Sequence, residues 1–236
     1  MHRAHDQLRN IEILTNVQKH PLGSAIFAAG NTRVLCSASV KNESPRWKKE
    51  QGVTGGWLTA EYGMLPGSTS TRKSRSTKGL DGRSTEIQRL IGRSLRAVVD
   101  LEKIDGVTIN LDCDVLDADG GTRCASINGA AIALQLSVNK LLEQGLIEES
   151  PIKEMIGAVS VGILDGKPVL DLDYDWDSRA EVDMNVVMTE SGKFVEIQGT
   201  GEEAVFSAEQ LSAMLDLAGS GIKEIIQRQK EILKEG

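Results

Sequence analysis

Aromatic residues are scarce in this chain: Phe, Tyr and Trp make up 3% of its 236 residues. The core must therefore be assembled from Val, Ile, Leu and Ala, for which a hydrophobic content of 40% leaves ample material. Proline is as sparing, with 5 against 24 glycines, a balance that predicts many tight turns and close approaches of backbone to a ligand. Cysteine stops at three, Cys36, Cys113 and Cys124. An odd number without metal-like spacing gives no disulfide framework, and a reducing, cytoplasmic setting is the simplest reading. The histidines are His2, His5 and His20, which brings no Ser-His-Asp or Cys-His arrangement near the motifs below. No apolar run approaches the ~20 residues that a membrane-spanning helix needs. Met1-His2-Arg3-Ala4-His5-Asp6 leads into no signal-peptide core, so the expectation is a soluble protein with no membrane partner.

A net charge of −7 at first argues against nucleic acid. Its distribution argues the other way. Between Arg46 and Arg96 there are eleven basic and four acidic residues, so the rest of the chain carries the negative excess. Asymmetry of this kind concentrates positive potential where it can steer a polyanion, although a solvated basic loop has the same composition.

Alternating or apolar runs predict strands at 11–14, 24–28, 33–40, 107–113, 156–164, 169–174, 182–188 and 193–198. Gly30-Asn31 and Gly192 read as turns between neighbouring strands. Helical periodicity places Ile87, Leu90, Ile91, Leu95 and Val98 on one face and Arg89, Arg93 and Arg96 on another. A second helix buries Ile127, Ala130, Ala131, Leu134, Val138, Leu141 and Leu142. A third opens with a capping box, Ser207 to Gln210, and Gly219 and Gly221 are positions that interrupt or bend it. Residues 66–82 are nearly devoid of apolar side chains and are expected to form a mobile loop. With no composition break, the order of elements predicts one α+β domain over residues 1–236 with a mixed sheet.

Three constellations can carry chemistry. Asp119-Gly120-Gly121-Thr122-Arg123 lies between a predicted strand and a predicted helix. Its glycines allow close approach, the helix start favours an anion, and Arg123 offers a forked donor. The spacing is neither a dinucleotide fingerprint nor a nucleotide-triphosphate loop, and the same residues read as a plain glycine-rich turn. Asp81-Gly82-Arg83-Ser84-Thr85-Glu86 places Arg83 at a second helix start, or leaves it in solvent. Finally, Asp171, Asp173, Asp175, Asp177, Glu181 and Asp183 put six carboxylates within thirteen residues. Such oxygen ligands suit Mg²⁺, and Asp183 within an alternating strand suits a rigid metal ligand or general acid. A solvated acidic loop is the alternative. Two anion sites, one cation site and a basic loop together point to phosphoryl transfer on a nucleic acid.

At this point longer segments carry a resemblance. Gly56-Trp57-Leu58-Thr59-Ala60-Glu61-Tyr62-Gly63-Met64-Leu65-Pro66 and 82–93 resemble hallmarks of the ribonuclease PH family, as do 111–115, 118–123 and 177–185. The catalytic domains of polynucleotide phosphorylase and the ring subunits of the exosome are similar at the edge of the pattern. The resemblance covers essentially the whole chain. It implies an α+β fold of the ribosomal protein S5 domain 2-like kind, assembled as a homohexamer, a trimer of dimers. The implied reaction is phosphate-dependent 3′-5′ exoribonuclease activity. It trims precursor tRNA 3′ ends, with a role in rRNA processing, releases nucleoside diphosphates, and is reversible.

Carried over position by position, Arg83, Gly121, Thr122 and Arg123 bind the attacking inorganic phosphate. Asp177 and Asp183 support catalysis, through Mg²⁺ or another divalent cation or through proton transfer. Arg72, Lys73 and Arg75 guide RNA or sit at a subunit contact, and Arg89 and Arg93 are further candidate RNA contacts. Two positions depart from the pattern. His5 stands in a short N-terminal segment where a small residue is expected, and Gly67 stands where many relatives place Arg.

Three rival readings remain from the residues. A non-catalytic RNA-binding ring subunit would lack the arginines and aspartates found here, a hydrolytic nuclease would not need phosphate, and a kinase would need an ATP loop.

Overall fold

The computed structural model of the chain describes residues 3–75, 79, 81–201 and 204–235. Two sheets form. The first contains β1 (Ile11–Thr15), β2 (Gly23–Ala29), β3 (Thr32–Lys41), β4 (Trp57–Met64) and β5 (Thr108–Asp117), in the order β1-β2-β3-β5-β4. The second contains β6 (Ile156–Leu164), β7 (Lys167–Leu170), β8 (Val182–Thr189) and β9 (Phe194–Gly201), in the order β7-β6-β8-β9. All pairings are antiparallel except β4 with β5. The mixed α+β class read from the sequence is therefore what forms.

Among the described residues five α-helices join the sheets: α1 (Arg46–Gln51), α2 (Gly82–Ala97), α3 (Thr122–Glu143), α4 (Tyr174–Asp177) and α5 (Ala208–Glu235). Helix α3 is the centrepiece. It packs on β2 and β3 of one sheet and on β6 of the other, with sixteen of its 22 residues buried. A helix enclosed on several sides cannot be amphipathic, and its small residues show how close the sheets come. A Cβ on Gly129 would meet the Cys36 sulfur, and one on Gly23 would strike the Ala133 carbonyl. The buried Asn128 side chain then stitches α3 to β6, accepting from the Ala158 N–H at 2.8 Å and donating to its carbonyl at 2.9 Å. One hydrophobic cluster consequently runs through both sheets.

Local chemistry explains the element ends. Gly30 and Gly192 turn β2 into β3 and β8 into β9 with φ of +56° and +82°. Ser207 and Gln210 exchange side-chain-to-backbone hydrogen bonds, so the capping box before α5 forms. Gly219 and Gly221 do not break α5. Gly221 is instead where the helix presses on Leu170 and Leu8. The strand expected over 169–174 stops at Leu170, because Asp171 adopts a left-handed φ of +57° and the Asp173 carboxylate caps the Trp176 N–H of α4. Strand β4 and helices α1 and α4 have no counterpart among the elements expected from periodicity. In the loop over 66–82 the described part before α2 carries no helix or strand. His2, Ser76, Thr77, Lys78 and Leu80 lie outside the described residues.

The parallel pair positions the site. Because β4 and β5 run the same way, both chain exits, at Met64 and Asp117, lie on one edge. Helices α2 and α3 each start from that edge, so their N-termini and the arginines Arg83 and Arg123 come to one place. Open sheets collect ligands at such carboxyl edges.

Candidate active site

A cleft of about 820 Å³ opens at this edge. The first sheet contributes Arg83 from the first turn of α2 and Gly120, Gly121, Thr122 and Arg123 from the start of α3. The second sheet contributes Asp177 from the end of α4, and Asp183 and Asn185 from one face of β8. The described loop adds Arg72 and Lys73 to the wall. All six positions read as phosphate or carboxylate sites therefore meet in one cavity.

The turn before α3 is built for close approach. Gly120 and Gly121 have φ of +73° and +67°, a region glycine enters without strain. A Cβ on Gly120 would lie 2.6 Å from the Leu172 carbonyl and the Asp173 carbonyl carbon, so the turn is pressed against the start of α4. No side chain caps α3, whose N-cap is Gly121. Uncapped N–H groups with the helix dipole behind them make a site for an anion.

Neighbouring side chains fix the turn's own groups. The Thr122 hydroxyl is buried and sits 3.0 Å from the Tyr62 hydroxyl of β4. Burial pushes the Tyr62 phenol above its usual value, against the nearby charges of Arg83 and Arg123. Arg123 donates to the Gln198 side-chain oxygen at 2.7 Å and lies 3.5 Å from a Glu86 carboxylate oxygen.

The six carboxylates of 171–183 separate into distinct roles. Asp171 is buried and ion-paired with Arg9 and Arg3. Asp173 caps α4, Asp175 pairs with Arg179 and Glu181 accepts from the Gly166 N–H. Of the six, only Asp177 and Asp183 line the cleft. Among the described residues no group of three or more His, Cys, Asp or Glu side chains is arranged to hold a metal. Two carboxylates lining the same cleft as an anion-favouring helix start nevertheless fit Mg²⁺, which takes one or two carboxylates and completes its shell with water and phosphate oxygens. The fit therefore narrows from six acids to two.

Of the basic residues read as RNA contacts, Arg72 and Lys73 line the cleft. Arg75 is close enough to Asp114 to offset part of the upward push that burial and Asp112 give its carboxyl. Arg89 is exposed on α2 outside the cleft lining, and Arg93 pairs with Glu196 of β9 at 3.1 Å. His5 packs edge-on against Trp176, and Gly67 has open space around its Cα.

Sequence reasoning missed Arg9, Thr32 and Tyr62. Arg9 is the most connected of them: its guanidinium grips both Asp171 oxygens, at 3.0 and 2.7 Å, and the Asp119 carbonyl at 2.6 Å. Burial would drive the Asp171 carboxyl up, yet the hydrogen bonds and charge of Arg9 hold it below the usual carboxylate range. Arg9 lies in the N-terminal segment that departs from the pattern at His5, but nothing local signals a partner 162 residues along the chain. Tyr62 was signalled, lying inside a family hallmark.

Comparison with known proteins matches residues 7–138 to domain 1 and residues 154–221 to domain 2 of the 3′ exoribonuclease family. Ribonuclease PH of Syntrophomonas wolfei is 54% identical over 233 residues, covering 98% of this chain and 97% of the relative. Ribonuclease PH of Bacillus subtilis is 54% identical over 234 residues, covering 98% and 95%. Among solved structures, an Archaeoglobus fulgidus exosome with RNA bound to the active site superposes with a TM-score of 0.79 at 22% identity, over 96% of this chain and 90% of that one. Rice Rrp46 superposes at 0.77 and 21% identity, over 98% of both. At those identities the structures show a shared fold.

Proposed function

The chain belongs to the ribonuclease PH family of phosphate-dependent 3′ exoribonucleases, and we propose that it trims precursor tRNA 3′ ends with phosphate bound at the start of α3. The observation that carries the site assignment is the convergence of Arg83, Gly121, Thr122 and Arg123 opposite Asp177 and Asp183 in one cleft.

The reaction joins two anions, so the first task is electrostatic. Arg83, Arg123 and the free N–H groups at the α3 start offset repulsion between inorganic phosphate and the RNA diester. A phosphate oxygen attacks the terminal phosphorus, the 3′ oxygen of the preceding nucleotide leaves, and the last nucleotide departs as its diphosphate. Bound at Asp177 and Asp183, Mg²⁺ would supply charge stabilisation for the transferring group and the departing oxygen. Asp183 is held for this by pairing with both β6 and β9, opposite Gly162 and Thr200. Arg72 and Lys73 on the cleft wall, with Arg75 from the same loop, guide the RNA backbone. Arg89 and Arg93 extend that basic surface along α2. Assembly as a homohexamer, a trimer of dimers, is part of the same reading, as is a cytoplasmic location. Among the described residues no helix is long and apolar enough to cross a membrane.

Incubating a tRNA that carries extra nucleotides beyond its CCA end, with and without phosphate, tests the proposal. Phosphorolysis stops without phosphate and yields nucleoside diphosphates with it. Continued release of monophosphates in its absence would make the site hydrolytic.

A further inference from the structure

We infer that Arg9 and Thr32 are positioning residues for the attacking phosphate, acting through the backbone of the Asp119-Gly120-Gly121 turn rather than by touching phosphate. This inference rests on the reading that phosphate binds at Gly121 to Arg123. Arg9 donates to the Asp119 carbonyl at 2.6 Å, and the fully buried Thr32 hydroxyl donates to the Gly120 carbonyl at 2.7 Å. Thr32 also accepts from the Asp119 N–H at 2.9 Å.

In a planar trans peptide the carbonyl of one residue and the N–H of the next point in opposite directions, and the described chain has no cis bond. Drawing the Asp119 and Gly120 carbonyls toward Arg9 and Thr32 therefore turns the Gly120 and Gly121 N–H groups the other way. Both glycines line the cleft, so these are two amide donors aimed at the anion. Without the clasp, two successive glycines rotate more freely than residues with side chains, and the donors would have to be ordered when phosphate arrives.

Arg9 is itself immobilised. Asp171 accepts from its guanidinium and its backbone N–H, and Arg3 adds a second cation at 3.4 Å. The same N-terminal segment lies over α4: Arg3 stacks on the Trp176 ring, His5 meets its edge, and the His5 carbonyl accepts from the Leu170 N–H. One strap thus sets the phosphate turn and the helix bearing Asp177 relative to each other. The departure at His5 has its place in this strap.

The test measures KM for phosphate at saturating RNA and KM for RNA at saturating phosphate in Thr32→Val, Thr32→Ser and Arg9→Lys, with Arg123→Ala alongside. Thr32→Val loses both clasping hydrogen bonds, to the Gly120 carbonyl and from the Asp119 N–H, and should raise the phosphate KM about tenfold or more while leaving the RNA KM within about twofold. Thr32→Ser keeps the hydroxyl and should restore the phosphate KM, a rescue that a general loosening of the fold would not give. Arg9→Lys keeps charge but loses the fork, and should also raise the phosphate KM. If Arg9→Lys does not fold, the two Thr32 variants decide. A wild-type phosphate KM in Thr32→Val, an equal rise in both KM values, or no rescue by Thr32→Ser overturns the inference. Arg123→Ala separates the failures: if it too leaves phosphate use untouched, the phosphate site lies elsewhere and the reading beneath the inference falls.

Discussion

Arg123, which lines the cleft, lies 3.5 Å from Glu86, with the Gln198 side chain bridging them by accepting from Arg123 at 2.7 Å and donating to Glu86 at 3.3 Å. The arginine assigned to phosphate is thereby paired with a carboxylate, the kind of group with which phosphate must compete. A half-exposed pair of this sort is worth about 0.2–1 kcal/mol. Glu86→Gln removes the competing charge but keeps an acceptor, so the phosphate KM should fall, by up to about fivefold. Steady-state phosphate titration measures it, and a raised KM would show that Glu86 orients Arg123 rather than occupying it.

Arg123→Ala removes the forked donor that we propose meets the developing phosphoryl charge. Loss of one such donor lowers kcat by about 10²–10³, so phosphorolysis of an RNA 3′ end should nearly vanish. RNA affinity, which we propose rests on Arg72 and Lys73 of the cleft wall, should change little. Turnover assays beside a filter-binding or fluorescence-polarisation isotherm give both numbers. Unchanged turnover would remove Arg123 from the site.

Chelation with EDTA should stop the reaction and added Mg²⁺ should restore it. Asp183→Asn should lower kcat by about 10²-fold or more, because several kcal/mol of charge stabilisation depend on the ion. It should also shift the Mg²⁺ titration upward. Wild-type Mg²⁺ dependence in the variant would assign Asp183 a different task, with proton transfer to the leaving oxygen the next to test by its pH profile.

Much of this architecture is written in local pattern. The alternating run of β3, the continuous apolar run of β6, the capping box at Ser207, and the turns at Gly30 and Gly192 are short-range signals that tertiary packing leaves intact. Strand β4 carries an alternating period, with Leu58, Ala60 and Tyr62 buried and Thr59 and Glu61 less so. What sequence could not supply was partnership at a distance. Six acids close in sequence looked like one cation site, but each answers to its own neighbour: Asp171 to Arg9, Asp173 to the α4 backbone, Asp175 to Arg179. Only packing decides which two of them line the cleft. Tertiary context likewise turned the predicted strand end at 171–174 into a helix start, since a left-handed Asp171 cannot continue a ladder.

Burial of the Asp171–Arg9 pair gives the protein a pH dependence whose sign can be worked out. Burial alone raises the Asp171 carboxyl, but Arg9 more than reverses this, so its folded pKa lies below the unfolded value of about 3.9. A group depressed in this way stabilises the fold fully at neutral pH, and that contribution is lost as pH falls below about 4 toward the folded pKa. Asp171→Asn leaves Arg9 charged and buried without its counter-ion, which should cost about 3–5 kcal/mol at pH 7. In the wild-type protein acid removes the same charge. Urea unfolding of both proteins between pH 7 and pH 3 should therefore show a large gap near neutrality that narrows below about pH 4. A gap that stays constant across that range would mean the two residues do not titrate as a pair, and would place the cost of the variant in packing alone.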